Sequence, residues 1–272
     1  MNQGNFFDTM PSLHHSLARV SVILPAYNEQ ACIERTVDAV LAHHHTHPNY
    51  QFVFVNDGST DRTQQILQAR IQSVAEHTIT LVSYDDRVGK GYAVRRGIEA
   101  STGDYICYLD SDLAYSLEHL DLLVEKLCTH DVAIGCRLLL KQNSRGLSWE
   151  RKVAGRVFNK LSRLLLNLNY SDMQAGLKGF SKDAARVLFC QQRLTGFAFD
   201  VELIYLAKKM GYEITEIPAA LSDHHQQKLS KVNLWGDSVK MFLELWKIKF
   251  YDVSGCYSSP VASVKAKVNA IS

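Results

Sequence analysis

The stretch "DYICYLDSDLA", residues 104–114, joins the pattern of a buried strand to a pair of acids. Its apolar run is typical of a strand in a sheet that is covered on both faces. Asp110 and Asp112 follow at the point where the strand is predicted to end. Aspartate and serine are common in turns, which gives the acids a purely structural interpretation. Paired carboxylates are also typical ligands of a divalent cation, and the stretch alone leaves both interpretations open.

Apolar runs of the same kind alternate with helical patterns along the first half of the chain. The predicted strands are 20–24, 51–55, 78–83, 104–109 and 131–135, and the predicted helices are 29–42, 61–74, 90–100 and 117–128. This alternation predicts an α/β fold whose mostly parallel sheet is flanked by helices. Because ligands bind at the carboxyl ends of the strands in such sheets, we expect the polar segments that follow the strands to gather at one edge.

The second half of the chain has a different pattern. Residues 137–170 have the composition of a long basic helical region, and 171–180 that of a loop and a short strand. A helix is predicted over 197–210, a strand over 212–217 and a last helix over 234–250.

Size and composition suit a globular protein. The chain has 272 residues, of which 46% are hydrophobic, and its net charge of +2 neither favours nor excludes an anionic partner. Six scattered cysteines without a C-x-x-C pair favour reduced thiols in a cytosolic protein. The sequence has neither a secretory signal pattern nor a run of 18 apolar residues, so we expect no transmembrane helix.

Two loops follow the first two predicted strands, "PAYNE" (25–29) and "NDGSTD" (56–61). Residues that are typical of turns and of helix starts are a sufficient structural explanation of the first loop. Tyr27 can also stack on a flat ring, which Glu29 would orient. In the second loop, glycine suits a tight turn, and serine or threonine can cap the next helix. Asp57 is less easily explained by capping, and at a strand end it can accept hydrogen bonds from a nucleobase.

A third loop, "VGKGYAVRRG" (88–97), opens a predicted helix. Its glycines allow the backbone to approach a ligand, and Lys90 adds positive charge beside a helix N-terminus, where phosphate binds. The spacing is not that of a P-loop, and a solvated lysine in a turn is the alternative.

The two negative charges of Asp110 and Asp112 would repel each other unless a positive charge compensates them. Mg²⁺ and Mn²⁺ often take one or two carboxylates together with substrate phosphates, so the pair fits a metal–diphosphate site.

The motifs "VSVILPAYNE", "VNDGSTD", "GKGYAVRRG" and "YLDSDLA", in this order and spacing, resemble the family 2 glycosyltransferases of the GT-A fold. Three later motifs are similar to the branch that transfers sugars to polyprenyl phosphates: "DMQAGLKGF" (172–180), "GFAFDVEL" (196–203) and "EITEIP" (213–218). Their pattern most resembles the dolichyl-phosphate β-glucosyltransferases, with the polyprenyl-phosphate mannosyltransferases in the same branch. The resemblance covers about residues 19–250.

The resemblance implies a Rossmann-like GT-A fold with C-terminal amphipathic helices. One transferase domain is expected over 19–250, with a nucleotide-binding half at 19–136 and an acceptor half at 137–250. An N-terminal arm (1–18) and a flexible C-terminal tail (251–272) would flank it.

The resemblance also implies roles for residues of the nucleotide-binding half. The base would be held by Pro25, Tyr27, Glu29 and Asp57. Lys90 would lie near the nucleotide or donor sugar. Asp110 and Asp112 would hold the ribose and diphosphate through Mg²⁺ or Mn²⁺, with Asp112 the more direct ligand. Some related mannosyltransferases have glutamine where this chain has Ala114, which removes a third ligand and disfavours that subtype.

In the acceptor half, the implied residues surround the donor sugar and the acceptor phosphate. Gln174, Asp200 and Glu202 would line the donor-sugar and acceptor pocket. Arg137, Arg151 and Lys231 match positions that bind the acceptor phosphate or lie near the phosphates. The candidate catalytic residues are Asp112, Arg137, Arg151 and Asp200.

Two segments have the composition of membrane-surface helices. Residues 137–170 carry eight Lys or Arg and one acid, interspersed with leucines. Such basic amphipathic helices lie on anionic membranes, although a solvated face is the usual explanation of a charge run. Residues 234–250 combine aromatic residues with lysines, and here membrane contact and packing against the sheet remain open alternatives.

The predicted function is inverting transfer of a hexose from UDP-glucose or GDP-mannose to a dolichyl or undecaprenyl phosphate. The protein would be cytoplasmic and peripheral on the cytoplasmic face of a membrane, with a membrane-anchoring subunit as a further candidate partner. One alternative is a family 2 transferase with a soluble sugar or another hydroxyl acceptor, which needs Asp172 or Asp200 as general base. Another is a non-catalytic nucleotide-sugar-binding subunit. Nucleic-acid binding is not expected, because it leaves the acidic strand ends unexplained.

Overall fold

The computed structural model describes residues 18–73, 79–140, 149–222 and 234–257, with the backbone alone for 149–154 and 234–241. Within these ranges the strands are β1 (Val20–Ala26), β2 (Tyr50–Asp57), β3 (Ile79–Tyr84), β4 (Tyr105–Leu109), β5 (Val132–Cys136), β6 (Leu177–Ser181) and β7 (Ile214–Pro218). The helices are α1 (Ile33–Thr46), α2 (Thr63–Gln72), α3 (Lys90–Glu99), α4 (His119–Leu127), α5 (Trp149–Leu166), α6 (Lys182–Gln191), α7 (Phe199–Lys209) and α8 (Leu234–Val253).

The described strands form one sheet in the order β3-β2-β1-β4-β6-β5-β7. Only β6 runs antiparallel to its neighbours, β4 and β5, so the predicted mostly parallel α/β sheet is confirmed. The strand order reverses at β1, which has β2 on one side and β4 on the other. Such a switch point leaves a crevice at the carboxyl ends of the two strands, where ligands bind. The loop after β1 and the acids after β4 lie at this crevice.

The sheet is buried on both faces, as the continuous apolar strands predict. Successive side chains of a strand point to opposite faces. Accordingly, Val22 and Leu24 join a core with helices α1, α2 and α4, while Ile23 joins a core with α3 and α5–α8. Strand β6 belongs to the second half of the sequence and lies between two strands of the first half. The predicted nucleotide-binding and acceptor halves therefore share one sheet.

Two local predictions differ from the structure. The long helix expected over 137–170 is replaced by a short 3-10 helix at Arg137–Leu139 and by α5, and the intervening residues 141–148 lie outside the described part. Helix α6 was not predicted, although its sequence carries a start signal. Ser181 is its N-cap, and its side chain accepts a hydrogen bond from the backbone N–H of Ala184.

The C-terminal boundary predicted at residue 250 lies inside α8, which continues to Val253. After the helix, the Tyr257 side chain is buried, and its hydroxyl donates a hydrogen bond to Glu202 Oε1 at 2.7 Å. The chain to residue 257 is therefore part of the folded domain. The rest of the predicted tail and residues 1–17 of the predicted N-terminal arm lie outside the described residues. Among the helices that are described, none has both the length and the apolar character that a membrane span requires.

Candidate active site

The acids of "DSD" lie in a tight turn that immediately follows β4. The turn is closed by a hydrogen bond from the Leu113 N–H to the Asp110 carbonyl, at 2.9 Å. Asp112 Oδ1 accepts a further bond from the Ala114 N–H at 3.1 Å. Leu113 has φ 51°, a left-handed conformation that costs a residue with a side chain about 1–2 kcal/mol. The surrounding structure must therefore stabilise this turn.

Two neighbouring segments hold the turn from opposite ends of the sequence. The Thr36 hydroxyl, on α1, donates a hydrogen bond to the Ser111 carbonyl at 2.6 Å. Ser222, after β7, donates its hydroxyl to the Leu113 carbonyl at 3.0 Å and its N–H to the Ala114 carbonyl at 2.9 Å. These contacts fix the backbone from which the two acids project.

The segment after β7 is in turn held by a buried histidine on α4. His119 Nε2 accepts the Ala220 N–H at 3.0 Å, while Nδ1 lies 3.1 Å from the Ser116 carbonyl. These partners assign the proton to Nδ1 of a neutral ring. Burial lowers the pKa of His119, because the imidazolium loses its hydration. The position of the "DSD" turn thus depends on a neutral histidine.

Asp110 is held between a lysine and a glycine. Lys90 Nζ lies 2.6 Å from Asp110 Oδ1. Burial alone would lower the pKa of Lys90, but the charges of Asp110 and Asp200 outweigh it and raise the pKa. On the other side, a Cβ at Gly176 would lie 2.1 Å from Asp110 Oδ2, so any side chain there would displace the carboxylate. Lys90, which was expected near the nucleotide or donor sugar, thus forms a direct ion pair with Asp110.

Asp200, at the start of α7, belongs to a network in the protein interior. Its Oδ1 accepts hydrogen bonds from the Tyr108 hydroxyl and from Lys178 Nζ, the latter at 2.5 Å. Lys178 is fully buried and also donates to the Ala175 carbonyl at 2.7 Å. Burial lowers the pKa of Lys178 despite the attraction of Asp200, and burial together with Asp200 raises the pKa of Tyr108. Asp200 is therefore a buried, paired carboxylate rather than one that lines an open pocket.

Sequence reasoning missed Lys178, although it lies in the quoted motif "DMQAGLKGF". The available signal was a single lysine within an apolar strand pattern. A buried lysine requires a partner of opposite charge. The sequence does not show which acid that partner is.

The loops predicted to hold a nucleobase do meet in space. Asn28, with φ 54°, accepts the Thr60 N–H on its Oδ1 at 2.8 Å, and its own N–H donates to Ser59 Oγ at 3.0 Å. Glu29 follows, with its N–H donating to Thr63 Oγ1 at 2.8 Å. Asparagine tolerates the left-handed conformation better than most residues. Asn28 thereby joins the loop after β1 to the loop after β2, a role that the sequence reasoning did not assign.

Tyr27 and Pro25 are both half-buried beside this junction. The Arg87 guanidinium carbon lies 4.1 Å from the centre of the Tyr27 ring. This distance is typical of a cation–π contact. A base that stacks on the same ring face must displace Arg87 or stack on it.

The structure assigns Asp57 a different role from the predicted one. Its Oδ1 accepts the Tyr84 hydroxyl and the Val88 N–H, both at 2.9 Å, and its Oδ2 accepts the Gly89 N–H at 3.0 Å. The carboxylate is almost fully buried. Asp57 therefore anchors the loop that leads to Lys90, and the expectation of a carboxylate open to a base is corrected.

Arg137 is likewise paired within the protein. Its Nε and Nη2 donate to the two carboxylate oxygens of Asp172, at 2.6 and 2.9 Å. Burial alone would raise the pKa of Asp172, but the hydrogen bonds and charge of Arg137 outweigh it and lower the pKa. Two of the three guanidinium nitrogens are thus occupied, and the role of Arg137 at the acceptor phosphate stays a prediction. Gln174 is half-buried nearby, and its N–H lies 3.3 Å from Asp172 Oδ1.

Glu202 is a structural residue and does not line a donor pocket as predicted. Its carboxylate is fully buried and accepts the N–H groups of Arg193 and Leu194 at 2.8 and 2.9 Å, besides the Tyr257 hydroxyl. Burial raises the pKa of Glu202, and these hydrogen bonds offset that effect in part. The side chain of Arg151 and the whole of Lys231 lie outside the described part of the structure.

The turn after β4 suits a divalent cation in its ligand chemistry. Asp110 and Asp112 offer hard carboxylate oxygens, and both side chains are partly exposed at the crevice. Mg²⁺ typically keeps positions for substrate phosphates beside one or two carboxylates. Within the described ranges, no group of three or more His, Cys, Asp or Glu forms a complete metal cage. The residues therefore fit a site that a bound diphosphate completes.

Comparison with known proteins identifies the family. The model of "Glycosyl transferase family 2" matches residues 21–189. Glycosyltransferase AglD of Haloferax volcanii is 32% identical over 227 residues, which are 82% of this chain and 35% of AglD. The chain thus spans about a third of that relative. The dolichyl-phosphate β-glucosyltransferase of Dictyostelium discoideum is 28% identical over 251 residues, covering 85% of this chain and 77% of that protein.

A solved structure supports the fold. Glucosyl-3-phosphoglycerate synthase from Mycobacterium tuberculosis, crystallised with Mn²⁺, UDP and phosphoglyceric acid, superposes with a TM-score of 0.62 at 19% identity, covering 86% of this chain and 79% of that one. This likeness confirms the predicted GT-A fold. The family model covers more than half of the sequence and includes the motifs from β1 to α6. The chain therefore belongs to family 2 of the glycosyl transferases.

Proposed function

We propose that this chain transfers a hexose from a nucleoside diphosphate sugar to the phosphate of a polyprenyl phosphate, with inversion at the anomeric carbon. The acceptor class is suggested by the dolichyl-phosphate β-glucosyltransferases among its relatives. One structural observation carries the proposal. Lys90 and the acids of the "DSD" turn lie together at the carboxyl end of β4, beside the switch point of the sheet.

The nucleotide would lie along the loops after β1, β2 and β3. Tyr27 is the proposed stacking partner of the base, with Pro25 and Glu29 beside it. Asp57 would act indirectly, by holding the Val88 and Gly89 amides and hence the start of α3. A donor whose diphosphate reaches Lys90 meets both a cation and a helix N-terminus, which together favour bound phosphate.

Asp112 and Asp110 are the proposed holders of Mg²⁺ or Mn²⁺. When bound, the cation supplies positive charge that stabilises the leaving diphosphate. Lys90 holds Asp110 in place from one side, and Gly176 leaves room for that carboxylate on the other. The chain's own contribution is therefore a rigid pair of oxygen ligands on a turn clamped by its neighbours.

The acceptor chemistry requires no strong general base. A phosphate monoester is already ionised at neutral pH, so its oxygen can attack the anomeric carbon without losing a proton in that step. Catalysis would come from alignment and charge stabilisation. Arg137, whose Nη1 is not part of the bidentate pair, is the proposed acceptor-phosphate contact, together with Arg151 and Lys231. Asp200 would help to position the acceptor site indirectly, through its hydrogen bonds in the protein interior.

Transfer to a soluble hydroxyl acceptor is less well supported, because it needs a carboxylate that accepts a proton. Asp172 is a weak base, since Arg137 lowers its pKa. Asp200 already accepts bonds from Lys178 and Tyr108 on one oxygen. A non-catalytic subunit is also disfavoured, since both acids of the "DSD" turn are present and partly exposed at the crevice, as a metal-dependent transferase requires. We further propose that the protein works as a peripheral protein at the cytoplasmic face of a membrane, with a membrane-anchoring subunit as a candidate partner.

The test is a transfer assay with a panel of UDP- and GDP-sugars, with and without Mg²⁺ or Mn²⁺. Each donor is offered a short-chain polyprenyl phosphate, a simple sugar and water. The proposal expects metal-dependent transfer to the lipid phosphate from one preferred donor. Transfer to simple sugars but never to the lipid phosphate would favour the hydroxyl-acceptor alternative, and no turnover with any donor would favour the non-catalytic one.

A further inference from the structure

Helix α8 has two faces of opposite character. On the inner face, Leu245 and Ile248 are fully buried in the core shared with α5 and α7. Glu244 is also buried, close to Gly196. One side of α8 is therefore packed in the core, against helices α5 and α7.

The outer face carries large apolar side chains in contact with solvent. Among them, Leu243, Trp246 and Phe250 are 56%, 52% and 65% exposed. At about 100° per residue, the exposed apolar residues of α8 from Phe242 to Val253 fall within one sector roughly 100° wide. We call this sector the α8 apolar face; its residues are Phe242, Leu243, Trp246, Phe250 and Val253.

Lysines flank this face on both sides. By the same helical geometry, Lys249 lies about 20° beyond one edge of the sector and Lys247 about 40° beyond the other. Both side chains are exposed. An aromatic face with a lysine on each side suits a helix that lies in a lipid–water interface.

The acids of this part of α8 offset that positive charge only in part. Glu244 is buried on the inner face. Asp252 is bound by Lys209 and by the Tyr205 hydroxyl. Lys249 Nζ lies 4.0 Å from Asp252 Oδ2, while Lys247 keeps its charge uncompensated by an acid of this segment. The exposed surface of α8 from Phe242 to Val253 is therefore apolar and cationic.

The neighbouring helix α5 adds cations. It packs against α8, and Arg156, Lys160 and Arg163 are exposed on it at helical spacing. Its Leu164 is 72% exposed, and residues 155–166 contain no acid. A water-soluble partner surface would have to be both apolar and acidic to match this pair of helices. An anionic lipid surface has both properties.

We propose that the α8 apolar face docks on the surface of a bilayer that contains anionic lipids, with Trp246 and Phe250 inserted at headgroup level. The inference deepens the proposed function, because a polyprenyl phosphate presents its head at such a surface. The contacts of Asp252 with Lys209 and Tyr205 fasten the end of α8 to α7, which begins beside Asp200. Docking through α8 would thus fix the orientation of the candidate active site relative to the lipid.

Trp246 supplies a direct probe of docking. In the full chain with Trp149→Phe and Trp235→Phe, its fluorescence reports on a single site. Vesicles of phosphatidylcholine with phosphatidylglycerol should shift the emission to the blue, and brominated lipids should quench it. Pure phosphatidylcholine vesicles should have a weaker effect, and added salt should weaken binding to the anionic vesicles. Unchanged emission with anionic vesicles would overturn the proposal.

Matched variants distinguish the contribution of the lysine charges to vesicle binding from that of apolar insertion. Lys247→Glu with Lys249→Glu should weaken vesicle binding by on the order of tenfold or more, since each cation near such a surface contributes roughly fivefold. Trp246→Ser with Phe250→Ser should abolish it. Lys126→Glu, at an exposed lysine on α4, should leave binding unchanged. Equal losses in all three variants would contradict the proposal, as would a concentration-dependent dimer that only the α8 variants dissolve.

Transfer assays distinguish failure of the docking proposal from failure of the proposed function. The α8 variants should transfer sugar to a detergent-free, short-chain acceptor at the wild-type rate and lose transfer to a long-chain acceptor in vesicles. Vesicle binding without transfer to either acceptor would refute the function but keep the docking surface. Equal transfer to the vesicle acceptor by wild type and variants would refute the docking surface.

Discussion

Lys178 and Asp200 form an ion pair in the interior of the protein, with 2.5 Å between Nζ and Oδ1. The pair joins β6 to the first turn of α7. Tyr108 of β4 donates its hydroxyl to the same carboxylate oxygen, so three elements meet at one charge. Removing one member of such a pair leaves the other charged, buried and unpaired.

Replacing Lys178 should therefore be strongly destabilising. Lys178→Met is expected to lower the free energy of unfolding by about 3–5 kcal/mol, measured by urea denaturation. Lys178→Met with Asp200→Leu should recover much of this loss, because the unpaired charge is removed too. Lys126→Met, at an exposed lysine, serves as control and should change stability by about 0.5 kcal/mol or less. A loss at Lys178 no larger than at Lys126 would contradict the buried pair.

Gly176 should be needed for the position of Asp110 more than for stability. In Gly176→Ala the new methyl group would collide with the Asp110 carboxylate, which must move. A displacement of about 1 Å at a catalytic group can cost on the order of 100-fold in rate, so we expect a loss of that size in donor turnover.

The control is Gly155→Ala on α5, where a methyl group meets nothing within 4 Å. It should keep full turnover and stabilise the helix by about 0.5–1 kcal/mol. Wild-type turnover in Gly176→Ala would show that Asp110 can move without consequence, against the proposed role of this acid.

Features of the fold and the site can be predicted from the sequence where they depend on residues that are close together in the chain. The strands up to β5 and the polar loops that follow them were predictable, because apolar runs and turn residues carry their own signal. The ion pair of Lys90 with Asp110 was not predicted, because it joins two motifs that are separate in the sequence. The partners of Asp57, Arg137 and Glu202 were not predictable. The partners of Asp57 and Arg137 lie far away in the sequence, and Glu202 binds the backbone of a nearby loop, so the motifs alone do not show that these charged groups are already bound.

Variants of Arg137 can distinguish a role in the stability of the fold from a role in binding the acceptor phosphate. Arg137→Met leaves the Asp172 carboxylate buried and unpaired, and should lower the free energy of unfolding by about 3 kcal/mol. Arg137→Met with Asp172→Leu should restore most of the stability. If Arg137 also contacts the acceptor, the double variant will still show a raised KM for the polyprenyl phosphate and an unchanged KM for the nucleotide sugar. A wild-type acceptor KM in the stable double variant would make Arg137 purely structural.

His119 should make stability depend on pH. Its folded-state pKa is lowered from the ordinary value of 6.5, so the unfolded chain takes up the proton first as the pH falls. The contribution of the neutral ring is complete above about pH 6.5 and is lost as the pH falls through the folded-state pKa, approaching ~1.4 kcal/mol per pH unit inside that window.

The matched variant is His119→Gln, whose side-chain oxygen can still accept the Ala220 N–H but does not titrate. Urea denaturation of both proteins between pH 7.5 and 5 should show a smaller loss of stability in the variant. Parallel curves for the two proteins would contradict a neutral, buried His119.

The central claim is that Asp112 and Asp110 hold a divalent cation against the diphosphate of a nucleotide sugar. The most direct measurement compares hexose transfer to a polyprenyl phosphate by wild type and Asp112→Asn, at saturating Mg²⁺ or Mn²⁺ and with the preferred donor. Asp104→Asn, just before the opposite end of β4, is the control. The account predicts a loss of at least about 100-fold in Asp112→Asn, with unchanged stability, and normal transfer in the control. Near-normal, metal-dependent transfer by Asp112→Asn would contradict it.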